Sequence, residues 1–242
     1  MFTEASWVDF MDQRICYLCG EIIGTKEVSV DHVPPKQFFP KLIRRQHNLD
    51  RLKTLPSHKT CNTDYQPDED YFINSIGPMA VEGSPVGRAL WEDIKITLKR
   101  PQGQILGGEI LKEFSEYSDA GIVLPHGKMF KKFDPKRVWR VFWKITRGLF
   151  FIEHGRFLPE NTHKSFELYS VGEIPPDRFK IVRDTPPRGE YGKVFEYKYR
   201  EMKNDGVWIH YWALLFWDQL IMTVIFHDPG CLCDHCAKRE DV

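Results

Sequence analysis

Cys16-Tyr17-Leu18-Cys19-Gly20 and His58-Lys59-Thr60-Cys61-Asn62 bracket a third stretch, Val28-Ser29-Val30-Asp31-His32-Val33-Pro34-Pro35-Lys36. Together these segments decide how the first part of the chain folds. Two thiols separated by two residues converge on one ion, and Gly20 permits the tight turn that aims backbone amides at sulfur. Structural zinc takes four ligands, and His58 and Cys61 supply the other two at the same spacing. The expected product is a closed Cys3His site, structural because protein fills every position. The bland alternative, buried free thiols beside a surface histidine, suits one CxxC better than two matched pairs. Between the pairs, alternating apolar residues predict a strand that ends at the prolines. Adjacent residues on a strand point to opposite sides, so Asp31 can take a metal while His32 faces a substrate. Asn62, fixed beside Cys61, opens a segment running to Phe72 that reads as a turn into a helix. A hairpin followed by a helix around one metal is a ββα-metal arrangement.

Working outward, the chain has 242 residues, with 34 basic and 34 acidic side chains, so any polyanion contact must come from a local patch. No apolar run is long enough to span a bilayer and the first residues lack a secretory pattern, so no membrane partner is expected and the cytoplasm is. Six cysteines fall in tight groups, which favours metal ligation over disulfides in that compartment.

The expected fold class is α+β: an N-terminal zinc-stapled module over residues 1–76, then a C-terminal helix packed on an antiparallel sheet. Residues 77–130, rich in Gly and Pro, read as a connector with a short helix over Val86 to Leu98 and otherwise strands and turns. The C-terminal α+β domain spans 131–230. Asp134 caps a helix, Pro135 suits its first position, Val138, Val141, Phe142, Ile145 and Leu149 recur at helical spacing, and Gly155 stops it. Val194 to Met202 and Val207 to Phe216 flank the turn Asn204-Asp205-Gly206, and Leu220 to Phe226 makes a third strand. Residues 231–242 form a Cys-rich tail. Its Cys231, Cys233, His235 and Cys236 suit either a strained zinc site or reactive thiols.

The ordered set of Cys16-x-x-Cys19-Gly20, Asp31-His32-Val33-Pro34-Pro35-Lys36, an intervening Asn, His58-x-x-Cys61-Asn62 and the Asp68-Glu69-Asp70 helix resembles the HNH endonuclease superfamily, specifically its bacterial stand-alone forms. The resemblance covers residues 14 to 75. It implies that His32 is the general base that activates water, that Asp31 and Asn62 hold a catalytic Mg2+ or Mn2+, and that Asn48 orients the base. The implied activity is hydrolysis of phosphodiester bonds in DNA, with double-stranded DNA as partner and restriction or phage defence as setting. Three features depart from the usual pattern: His58 stands where the superfamily often has a fourth Cys, Asn62 where it often has His, and Asn48 lies farther from His58 than is common.

A neutral imidazole accepts a proton near neutral pH, and carboxylate and amide oxygens suit hard divalent ions. Residues 36 to 59 carry Lys36, Lys41, Arg44, Arg45, Arg51, Lys53 and Lys59 against the single acid Asp50, a local basic surface suited to phosphate. Of these, Lys36, Arg44, Arg45, Arg51 and Lys53 are the expected nucleic-acid contacts. A second basic run from Lys128 to Arg147 reads as the polar face of the long helix or as a further contact. Asp68, Glu69 and Asp70 suit a second metal or, more simply, first-turn acids complementing a helix dipole. The aromatics Trp208, Tyr211, Trp212 and Trp217 fit target reading or a homodimer surface, against a strand alternation that assigns most of them to sheet core. Two other functions compete: a zinc-stabilised nucleic-acid-binding module without cleavage, and an RNA-cleaving enzyme.

Overall fold

The computed structural model describes residues 14–24, 27–49, 52–173, 177–189, 191, 193–204, 206–228 and 231. Arg51 and the tail residues Cys233, His235 and Cys236 lie outside them.

β1 (Val28–His32) pairs antiparallel with β2 (Thr54–His58), Val28 opposite His58 and His32 opposite Thr54. The connection holds the proline turn, with a cis Val33–Pro34 peptide, and the short helix α1 (Lys41–Gln46). α2 (Lys59–Ile76) follows β2 directly, with His58 at its N-cap. Asp68, Glu69 and Asp70 therefore sit in the middle of α2 and not in its first turn, so they complement side chains of another element instead of the helix dipole.

α3 (Pro85–Leu98) starts one residue before the expected Val86: Ser84 Oγ accepts from the amides of Val86 and Gly87, with Pro85 in the first turn. The stretch after it departs from the expected strands and turns, because Pro101–Leu111 forms another helix, α4. Within it Gly103 serves packing: a Cβ there would lie 2.1 Å from the carbonyl oxygen of Thr97, so its absence lets α4 fold tightly back from α3. β3 (Phe114–Ser115) and β4 (Phe130–Lys131) make a small antiparallel pair.

α5 (Pro135–His154) matches expectation at both ends. Asp134 accepts from the amides of Lys136 and Arg137, and Gly155 ends the helix in the left-handed region at φ 62. An antiparallel sheet of order β5–β8–β7–β6 follows, built from β5 (Lys164–Ser170), β6 (Phe195–Asn204), β7 (Val207–Phe216) and β8 (Leu220–His227). β5 adds a strand the sequence did not announce. A single turn, α6 (Lys180–Arg183), precedes β6. Trp217 and Asp218, both at positive φ, make the tight turn from β7 to β8.

α5 lies between the sheet and α2. On the sheet side, Phe142 meets Phe166 at 5.4 Å between ring centroids and Trp143 meets Phe226 at 5.4 Å. Each large side chain buried there contributes roughly 1.5–3 kcal/mol. On the other side the basic run from Arg137 to Arg147 turns inward. Arg137 and Arg140 pair with Asp68 at 2.9 and 2.5 Å. Arg147, 1% exposed, donates to the carbonyls of Leu18 and Leu158 and pairs with Glu160. These cations are thus committed to helix–helix packing. Gly148 sits on the same side, and a Cβ there would lie 2.7 Å from Val33 Cγ2, so α5 rests directly on the turn that follows His32. One contiguous hydrophobic core runs from Cys16 through Phe72 and Phe142 to Phe226.

Candidate metal and catalytic site

The two CxxC-type halves meet where the sequence placed them. Cys16 accepts at its carbonyl from the Gly20 amide at 2.8 Å, and Gly20 takes φ +81, so the knuckle closes on itself. The register of β1 against β2 brings His58 to the same point. Its Nδ1 is 3.3 Å from Cys19 Sγ and 3.9 Å from Cys61 Sγ, and its amide donates to Cys16 Sγ at 3.3 Å. All four candidate ligand atoms lie within 4.8 Å of one another. A tetrahedral zinc with ordinary bond lengths sets such donors about 3.5–3.8 Å apart. The electrostatics point the same way: burial, then the charges on Cys16 and Cys19, push the Cys61 thiol up to about 12. Burial raises the Cys19 thiol as well, whereas at Cys16 burial is outweighed by backbone hydrogen bonds that lower it, so the first thiolate forms readily and the other two need a cation to share their charge. This Cys3His cluster is fit to bind a metal such as zinc, with Nδ1 as the histidine donor and the proton on Nε2.

Beside it lies a buried polar cluster. Asp31, 5% exposed, accepts at Oδ2 from the Tyr17 hydroxyl at 2.5 Å and pairs there with Lys144 Nζ at 2.8 Å. The same ammonium donates to Glu69 at 2.5 Å and to Asn62 Oδ1 at 3.2 Å. Asn62 in turn donates to Ser29 Oγ at 3.2 Å. Asp31 and Asn62, far apart in sequence, are therefore brought to one point, and that point is the end of Lys144. Three oxygens around one cation is the donor chemistry of a hard-metal site, here met by an ammonium. The two carboxylates against one ammonium leave a formal charge of about −1 below the surface. Burial raises the Glu69 carboxyl above its ordinary value more than Lys144 lowers it.

The cluster forms part of the wall of a cavity of ≈ 320 Å³, lined also by His32, Lys36, Gln37, Gln66 and Asp70. His32 is half-buried at the end of β1, and burial, then Lys36, hold its imidazole below the usual 6.5, so the ring is neutral at pH 7. An adjoining cleft shares Lys36, Gln37 and Asp70 and continues past Lys41, Arg44 and Arg100. Arg45 and Lys53 are exposed, and Arg44 donates to the carbonyl of Phe39 at 3.1 Å. Asn48 goes elsewhere. It is exposed, takes φ 51 just past the end of α1, and does not line the cavity. An asparagine tolerates that left-handed position, which accounts for its residue type without a role beside His32.

Tyr17 and Lys144 are the members of this cluster that sequence reasoning missed, and Glu69 entered it only as one of three acids offered to a second metal. Glu69 carried a signal, since it lies two helical turns after Asn62 and so on the same face of α2. Lys144 carried none, because it is 82 residues from Asn62 and looks like any other cation on a basic helix. Set against the models of known protein families, against curated proteins and against solved structures, the chain finds no match. Among the described residues, no helix is long and apolar enough to cross a membrane.

Proposed function

We propose that the chain is a metal-dependent phosphodiester hydrolase of the HNH type that cleaves DNA. One observation carries this reading: Asp31, His32 and Asn62 line a single cavity in a strand–strand–helix unit whose ends are drawn together by the Cys3His cluster. In this reading zinc holds the frame, and Asp31 with Asn62 would hold Mg2+ or Mn2+, which supplies Lewis-acid stabilisation of charge at the scissile phosphate. His32, kept neutral by burial and by Lys36, takes the proton from the attacking water. Tyr17 and Lys144 orient Asp31, and Lys144 and Ser29 orient the Asn62 amide. Exposed Lys36 and the cations of the adjoining cleft receive the nucleic-acid backbone.

The second reading is a nucleic-acid-binding module that does not cut. The favouring observation is Lys144 itself, which satisfies the oxygens of Asp31, Glu69 and Asn62 without a divalent ion. Plasmid digestion with Mg2+ or Mn2+ separates the two. The nuclease reading expects wild type to nick or linearise DNA, and His32→Ala to lose activity by at least about 100-fold, the usual scale of a general base. It expects the variant to keep its zinc. Equal cutting by both proteins removes His32 from the role, and binding without cutting by wild type favours the second reading.

A further inference from the structure

At the far end of α5, away from the cavity, His154, Glu201 and His210 converge. His154 is the last residue of α5, while Glu201 on β6 and His210 on β7 are directly opposite one another in the sheet. Cross-strand partners stand side by side on one face, so helix and hairpin deliver the three side chains to one place. Glu201 Oε1 is 2.9 Å from His154 Nε2 and 3.1 Å from His210 Nδ1, and the three atoms lie within 4.8 Å of one another. Yet these same three atoms are buried and have no hydrogen-bond partner. They approach closely without the direction that a hydrogen bond requires. Buried polar atoms are nearly always satisfied, so three orphans around one point ask for a shared partner.

The surroundings prepare His210 as a ligand. Its Nε2 donates to Asp228 Oδ1 at 3.1 Å, which leaves the Nδ1 lone pair facing Glu201, and Arg156 donates to the same oxygen at 3.1 Å. Phe226 stacks on the ring at 4.7 Å. An imidazole whose second nitrogen is held by a carboxylate is the usual support of a metal-bound histidine. A tetrahedral zinc with two nitrogen donors and one oxygen donor sets them about 3.4 Å apart, within the range found here.

From this geometry we propose that His154, Glu201 and His210 form a second metal centre, for a divalent transition ion of the zinc class, separate from the Cys3His cluster. Two imidazoles and one carboxylate suit zinc and its neighbours better than magnesium or calcium, which prefer oxygen alone. Three protein ligands leave one position for water, and Glu201, with 28% of its side chain exposed, sits on the side that water reaches. The ion ties the end of α5 to the β6–β7 hairpin.

The test uses the full chain. Metal content measured by plasma mass spectrometry should fall by one equivalent per chain in the double variant His154→Gln, Glu201→Gln. It should fall by a different equivalent in Cys19→Ser, Cys61→Ser. Wild-type metal content in the first variant overturns the proposal. Because either variant can misfold, a second readout uses wild-type protein stripped of metal and titrated with Co2+. One class of cobalt should show thiolate-to-cobalt charge transfer, and a further equivalent should show the intense visible bands of four-coordinate cobalt without it, unlike the weak bands of a six-coordinate ion at Asp31 and Asn62, and should be absent from the first variant. Cobalt uptake only with thiolate charge transfer overturns the proposal, because any site in the cysteine-rich tail would carry the same sulfur signature.

Discussion

Replacing Lys144 by methionine keeps most of the length of the side chain and removes its charge, at a site where the side chain is 2% exposed. The substitution strands two carboxylates, Asp31 and Glu69, with 7% and 12% side-chain exposure, and takes one hydrogen bond from Asn62. Breaking a buried ion pair from one side costs about 3–5 kcal/mol. For a chain of this size that lowers Tm by about 6–20 °C. The loss depends on pH in a direction that can be worked out. The folded-state Glu69 carboxyl is already raised above its unfolded value, so its ionisation costs stability, a penalty absent below the unfolded range and complete above the folded value. Lys144→Met removes the partner that lowers it, so the deficit is smallest in acid and grows as pH rises. The divalent ion supplies the sharper contrast. If these oxygens accept Mg2+ or Mn2+, the variant gains up to about 2.7 kcal/mol at a concentration 100-fold above Kd, whereas wild type, with its ammonium in place, gains less. Thermal or urea unfolding with and without the ion reads both effects. A variant as stable as wild type, or one that gains no more from the ion, refutes the reasoning.

Other outcomes follow from the same geometry. If His32 acts as a base, the acid limb of the cleavage rate lies below pH 6.5, the ordinary imidazole value, with a plateau above it. Lys36→Ala removes one cause of that depression and should move the limb to higher pH, read from a pH–rate profile. Cys61→Ser should release the ion of the Cys3His cluster and unfold the N-terminal segment, seen as lost zinc and a lowered Tm; unchanged zinc would exclude that ligand. Arg147→Met should cost about 2–3 kcal/mol, since it takes the buried donor from the carbonyls of Leu18 and Leu158, while Glu160, 55% exposed, keeps the Tyr65 hydroxyl. Chemical denaturation measures this directly.

What could be read from the sequence was local. The Asp134–Pro135 start and Gly155 stop of α5 are short-range capping chemistry, and the hairpin of β6 and β7 follows from its alternation and turn. The thiol pairs were legible because ligand spacing is set by the ion and not by the fold. The losses came where tertiary packing decides. The Gly and Pro content of residues 77–130 suggested turns, yet Pro101–Leu111 is a helix in which Gly103 is a contact point with the end of α3. Asn48 looked functional and holds a left-handed backbone position. β5 was missed because its residues are mostly half-buried, which blurs the alternation of an edge strand. The buried charge cluster was invisible, since its members come from the knuckle, β1, α2 and α5, and nothing near Lys144 in sequence tells it apart from Lys136.

Gly148 stands one helical turn after Lys144, on the side of α5 that touches Val33. Its missing methyl therefore acts as a spacer gauge, fixing how deeply the lysine arm reaches between Asp31 and Asn62. Alanine there would meet both Val33 methyls inside 3 Å, so the rod must move outward, which would retract the ammonium and loosen its grip on both oxygens. A single hydrogen in place of a methyl thus calibrates a charge contact on the neighbouring turn.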